Sequence, residues 1–173
     1  MEFKLNQALE VLTQTPDVMN ILLRGKSEVW LNCRNTPQAF SPLEVIAHLM
    51  HADRTNWIPR AQQILNGDGA APFEEFDRFG FQSLLAGKSA GTVLDEFAEL
   101  RRQSLRTLSD FGIGDRELEQ QGTHPEFGRV KLSNLLATWV VHDLGHVSQV
   151  VKTMSNEYRD AVGPWRAYLT ILN

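Results

Sequence analysis

The sequence predicts an all-α fold, a four-helix bundle with one additional short C-terminal helix, and three observations carry that prediction. Apolar residues recur at intervals of three and four along most of the chain, the spacing of helices that bury one face. Alternating β-branched runs are missing, so strand signals are poor. Capping serines and stopping glycines divide the chain into four long segments and a terminal one, and helices of this kind bury their stripes against one another. At 173 residues the chain, 1–173, reads as a single helical bundle domain.

The first segment, roughly Leu5 to Arg24, carries Leu5, Leu9, Leu12, Val18, Ile21 and Leu22. Thr15-Pro16 interrupts it; proline suits a helix's first turn, so the main helix is expected to start there. Gly25 then stops it. Ser27 to Phe40 is turn-rich and reads as a connection carrying Trp30 and Leu31 inward. Ser41-Pro42-Leu43-Glu44 is a strong helix start, with a capping serine, proline at the first position and glutamate at the third. This second helix is expected to run to about Leu65, kinked at Pro59, before the turn Asn66-Gly67-Asp68-Gly69. Residues 67–88 hold Phe73, Phe76, Phe79 and Phe81 and are expected to fold over one end of the domain. Ser89 caps a third helix to about Leu108, striped by Val93, Leu94, Phe97, Leu100 and Leu105. Residues 110–130 read as a glycine-marked connection, whose Gly122-Thr-His-Pro-Glu-Phe-Gly128 holds no helix. A fourth helix follows from about Lys131 to Met154, and a short one from about Val162 to Leu172 closes the chain.

Composition excludes some functions. A net charge near −4 argues against nucleic acid as a partner, since such binding leaves a basic footprint. The densest basic group, Arg101-Arg102 with Arg106, has Glu96 and Glu99 beside it and reads as a solvated helix face. Cys33 is the one cysteine, so no intrachain disulfide forms and a reducing compartment fits. The start Met-Glu-Phe-Lys-Leu-Asn has no basic stretch followed by an apolar one, and no apolar run approaches membrane-span length. A cytoplasmic protein without membrane partners is expected.

The chemistry lies in the histidines. His142 and His146 stand four apart, so both rings share one face of the fourth helix. Five histidines in 173 positions make one such pair a common accident, and context decides. Leu132, Leu135, Trp139, His142, His146 and Gln149 step by three and four, placing the pair on the inward stripe. On the second helix Val45, His48, Leu49 and Ala52 mark an inward face that includes His48. Alone, His48 reads as a hydrogen-bonded core residue, His51 as an edge residue and His124 as a turn residue. Together, His48, His142 and His146 can form a facial set around one divalent ion. The metalloprotease pattern needs glutamate directly after the first histidine, and here that residue is Asp143. A Gly-x-Ser-x-Gly elbow, a phosphate loop and paired Glu-x-x-His motifs are missing too. Catalysis here would therefore centre on the ion. Gln149 and His51 are candidates to orient substrate, and Trp57 or the segment 73–81 to wall a pocket. The rival reading is a non-catalytic helical-bundle binding protein with no bound metal.

At these residues the sequence resembles the DinB-like superfamily, the DinB/YfiT group of metalloenzymes. Phe40-Ser41-Pro42 leads to His48-Leu49, and Trp139-Val-Val-His142-Asp-Leu-Gly-His146-Val-Ser-Gln149 follows. His124-Pro125-Glu126-Phe127-Gly128, with Leu132 and Leu135-Leu136 after it, matches as well, and the match covers nearly the whole chain. The resemblance implies a four-helix bundle holding nickel, zinc, iron or manganese on His48, His142 and His146. It implies a small-molecule substrate, thiol S-transferase chemistry with a low-molecular-weight thiol or hydrolase chemistry, and a homodimer. It selects no substrate.

Overall fold

The computed structural model describes residues 2–67 and 69–173; Met1 and Asp68 of the expected turn lie outside the described residues. The protein is a four-helix bundle. Helix α1 spans Leu5–Leu23, a short α2 Glu28–Asn32, α3 Pro42–Ala52, α4 Ile58–Leu65, α5 Ala90–Asp110, α6 Asp115–Leu118 and α7 Leu132–Asn156. The long members are α1, the α3–α4 unit, α5 and α7. Helix α1 packs on α5 and α7, and α3 packs on the same two, so α1 and α3 face each other chiefly across them. The core falls into two apolar clusters, one around Met19, Ile46, Met50 and Phe97, the other around Leu12, Ile64, Leu132 and Trp139.

Helix α1 runs straight through Pro16 instead of starting there. Proline in a helix interior leaves the carbonyl four residues back without its donor. That carbonyl belongs to Leu12, and Arg101 Nη1 from α5 donates to it at 3.1 Å. A tertiary hydrogen bond replaces the one that Pro16 removes, which local sequence cannot reveal.

Helix α3 begins as expected, with Ser41 and Glu44 forming a reciprocal capping box. Glu44 also pairs with Arg34 at 2.6 Å, so its carboxylate is a capping group far from chemistry. The expected kink takes the form of a π-helical turn, Asp53–Trp57, immediately before Pro59. Such turns widen the helix by one residue and re-aim the side chains they carry. Within the stretch read as a connection, Glu28–Asn32 closes one helical turn and buries Leu31, while Trp30 is half-buried against Tyr158.

The strand-poor reading missed a hairpin. Gln121–His124 (β1) pairs antiparallel with Gly128–Lys131 (β2), and Phe73 N donates to Thr123 O beside it. Two glycines make this possible. Gly128 takes φ +71 at the close of the turn, a region that costs other residues more. A Cβ at Gly122 would lie 2.5 Å from the Phe73 ring, so the hairpin can approach α4 and the aromatic segment only without one. Phe73 and Phe81 are buried and Phe76 half-buried, so segment 69–88 does fold over the bundle. The terminal helix is built as two tight 3-10 turns, Gly163–Tyr168 and Thr170–Leu172. Among the described residues no helix is long and apolar enough to cross a membrane.

Candidate metal centre

Helix phase delivers the three histidines to one point. On α3, Val45, His48, Leu49 and Ala52 are all buried, so the His48 ring enters the interior with its apolar neighbours. On α7, Leu132, Leu135 and Trp139 are buried and His142, His146 and Gln149 half-buried along the same stripe. One ring nitrogen from each of His48, His142 and His146 lies within 4.8 Å of the other two. His142 Nε2 is 3.2 Å from His48 Nε2 and 3.2 Å from His146 Nε2.

Those separations suit a shared ion as well as a hydrogen bond. A neutral imidazole offers one N–H and one lone pair, so His142 Nε2 can complete a hydrogen bond with only one of its neighbours at a time. Nitrogens sharing one ion at about 2.0–2.1 Å stand roughly 3.0–3.4 Å apart at ordinary coordination angles. The observed spacing matches that range. His146 Nδ1 is 2.8 Å from Gln149 Oε1; an amide oxygen only accepts, so this nitrogen holds the proton and Nε2 keeps its lone pair toward the cluster. His48 Nδ1 and His142 Nδ1 are buried without a protein partner among the described residues.

The electrostatics keep the His48 and His146 rings neutral. Burial pulls His48 down to about 3, and His146 and His142 beside it add to the shift. Burial likewise pulls His146 down to about 4, with His142 reinforcing it. Neutral imidazoles with free lone pairs are the form that binds a cation. Phe40, Phe76 and Phe81 surround the His48 ring at centroid distances of 5.4, 5.7 and 6.2 Å, and Trp57 lies 5.2 Å from His142.

Of the clustered histidines, His142 lines a cleft of about 750 Å³ together with Trp57, Arg60, Phe76, His124 and Leu135. Trp57 and Phe76, expected to wall a pocket, do so; Phe79 is exposed and Phe81 packs in the core. Gln149 contacts His146 directly. His51 is placed elsewhere: its Nε2 sits 3.0 Å from Asp77 O, and its ring leaves no room for a Cβ at Gly80. His51 therefore ties the 69–88 segment to α3. His124 Nδ1 accepts from the backbone N–H groups of Glu126 and Phe127 and shapes the hairpin tip, as its turn setting implied. Cys33 is buried, its thiol donates to Trp30 O at 3.3 Å, and burial pushes its pKa up.

Sequence reasoning misread Arg101. The side chain expected on a solvated face is 1% exposed. Its Nε and Nη2 donate to Asp53 at 2.7 and 3.1 Å, and its Nη1 and Nη2 to Asp143 at 2.5 and 3.3 Å. With Leu12 O as the fifth acceptor, all five guanidinium N–H groups are used. The Phe97 and Trp139 rings, one from each core cluster, cover its faces at 5.2 and 5.1 Å. Burial pushes Asp53 up to about 6 against the pull of Arg101, whereas for Asp143 burial is opposed by Arg101 together with His142 and Thr15, which hold it below its ordinary value. Both are charged at neutral pH. The signal was a phase: Leu94, Phe97, Arg101, Ser104 and Leu108 step by three and four and are all buried. Asp143 faces this arginine, 3.9 Å from His142 Nδ1, so it is committed to the ion pair and unavailable as a general base.

Comparison with known proteins places this site in a family. No curated protein matches the chain. YfiT from Bacillus subtilis, described as a probable metal-dependent hydrolase with an unusual four-helix bundle topology, shares the fold. The two superpose with a TM-score of 0.73 at 17% identity, over 88% of this chain and 86% of that one. The model of the DinB superfamily matches residues 12–150, a span that includes all three clustered histidines and Gln149. The chain belongs to the DinB superfamily.

Proposed function

We propose that His48, His142 and His146 bind one divalent ion and that the protein is a metal-dependent enzyme acting on a small molecule. The observation that carries this reading is the convergence of three ring nitrogens within 4.8 Å beside a cleft that reaches His142. Three imidazoles suit nickel, zinc or iron, and manganese less well by ligand type. Bound there, the ion would lower the pKa of a water or small thiol and so supply the nucleophile. Gln149 fixes the His146 tautomer; Trp57 and Phe76 present apolar surface that limits water beside His142. His51 would act on substrate only by holding the aromatic segment in place.

Hydrolysis is the first reaction class, supported by likeness to a protein described in those words. Transfer of a low-molecular-weight thiol to an electrophile is the second, since the same nucleophile-generating chemistry serves both. Residues 1–173 act as one domain in the cytoplasm in this reading. Exposed Val18 and Ile21 on α1 and Val141 and Leu144 on α7 offer an apolar face for a homodimer.

Metal analysis of untagged protein tests the proposal. About one ion per chain, lost in His48→Ala and His142→Ala, is expected. A stoichiometry near zero after addition of Ni²⁺ or Zn²⁺ contradicts it and leaves a non-catalytic binding bundle. Turnover of an electrophile with and without added thiol then separates the classes; turnover indifferent to thiol excludes the transferase.

A further inference from the structure

The wall of the cleft opposite α7 carries a second arginine whose circumstances differ from those of Arg101. Arg60 on α4 is only 8% exposed, yet no carboxylate lies within ion-pair distance of it among the described residues. Its Nη2 donates to Glu74 O at 2.8 Å, and its guanidinium rests on the Phe73 ring, 5.1 Å from the centroid. One of five N–H groups is thereby used. Burial is the only influence on its charge and pulls its pKa down, with no acid to restore it. A guanidinium held this way is pre-organised for a planar oxyanion, which accepts two parallel N–H bonds.

Its surroundings limit what that oxyanion belongs to. Trp57, one turn before Arg60, lines the same cleft. Phe73, Phe76, Val130 and Leu135 make much of the lining apolar, with Asn56, His124, Asn134 and Thr138 among them. Glu75 and Glu126 also line the cleft, but both are exposed, where solvent and salt screen them. A volume of about 750 Å³ suits a small molecule.

We propose that Arg60 binds the carboxylate of a small, largely apolar acid in this cleft, making apolar-bodied carboxylates the substrate class. The inference rests on the proposed metal site only for which end of the ligand reacts; recognition of the acid is independent of the ion. Arg60 is a binding residue here, and the neighbouring aromatic rings hold the body of the ligand.

Calorimetric titration of the metal-free full-length protein with phenylacetate and its neutral isostere phenylacetamide tests this at neutral pH. The acid is expected to bind at least about tenfold more tightly than the amide, the value of a charge-assisted hydrogen-bonded contact. In Arg60→Gln the two should bind within about twofold of each other, and Arg60→Lys should keep part of the preference. Equal binding of the two probes to the wild type overturns the proposal, as does an acid preference that survives Arg60→Gln, or no binding of either probe at millimolar concentration. Should Arg60→Gln lose its helical circular dichroism, the wild-type comparison and Arg60→Lys decide. Failure of the metal reading appears separately, as missing metal, and leaves these titrations unaffected.

Discussion

Around Asp143 every donor of Arg101 meets an acceptor, whereas around His142, one residue earlier on α7, three ring nitrogens face one another and two more have no hydrogen-bond partner among the described residues. Both clusters are polar, both draw on α3 or its π-helical extension, and both sit among aromatic rings. They differ in completeness. A buried polar group that is fully paired specifies how helices meet; one left unpaired carries a cost that a bound partner can remove. The Arg101 cluster is finished by the chain itself. In the proposed reading, the histidine cluster is finished by a bound ion.

Breaking the finished cluster should have the largest effect. Arg101→Met leaves Asp53 and Asp143 as buried, unpaired carboxylates, and a loss of about 3–5 kcal/mol in urea unfolding is expected. Replacing all three charged residues with apolar ones of similar size should recover most of that loss, because the desolvation cost goes with the charges. If Arg101→Met unfolds like the wild type, the cluster is not a structural element.

The unfinished cluster should respond in metal affinity. Gln149→Leu removes the acceptor that fixes the His146 tautomer, and an affinity loss of about 10–100-fold is expected with little change in unfolding midpoint. Titration with a chromophoric competitor chelator measures it. An unchanged affinity would mean that the Gln149 contact does not orient the ligand.

Protonation separates the clusters further. His48 and His146 titrate at about 3 and about 4 in the folded protein, against about 6.5 in the unfolded chain. Their folded values are depressed, so the unfolded state binds more protons between those limits. Their contribution to stability is therefore present above about pH 6.5 and is lost as pH falls toward 4. Metal-free wild type should lose stability more steeply over that window than a His48→Gln, His146→Gln double variant. Equal slopes would contradict the burial of neutral rings.

The smallest effect belongs to neither cluster. Gly145 lies between the two α7 ligands in an open, exposed position where a Cβ meets nothing within 4 Å. Gly145→Ala should raise stability by about 0.5–1 kcal/mol through helix propensity alone and leave metal binding as it was.

The sequence's legibility divides along the same line. Helix phase found His48, His142 and His146 because each sits among leucine, valine or tryptophan neighbours that mark the inward face. The same phase placed Arg101 at an inward position, but nearby Glu96, Glu99 and Arg102 made it resemble a solvated group. Its acceptors lie on three other segments, Leu12, Asp53 and Asp143, and no local pattern joins them. Pro16 misled for the related reason that its compensation comes from α5. The β1–β2 hairpin was hidden because its strands are only four residues long and its placement depends on the small size of Gly122. Arg60 carried no signal, since the cleft around it is assembled from α4, α7, the hairpin and the aromatic segment.

X-ray absorption at the metal edge of reconstituted protein tests the central claim most directly. The expected spectrum has three imidazole nitrogens at about 2.0–2.1 Å for zinc, and His48→Ala, which loses the ion, should give no such shell. An ion held by oxygen ligands, or a nitrogen shell that His48→Ala leaves intact, would contradict the assignment of this cluster as the metal centre.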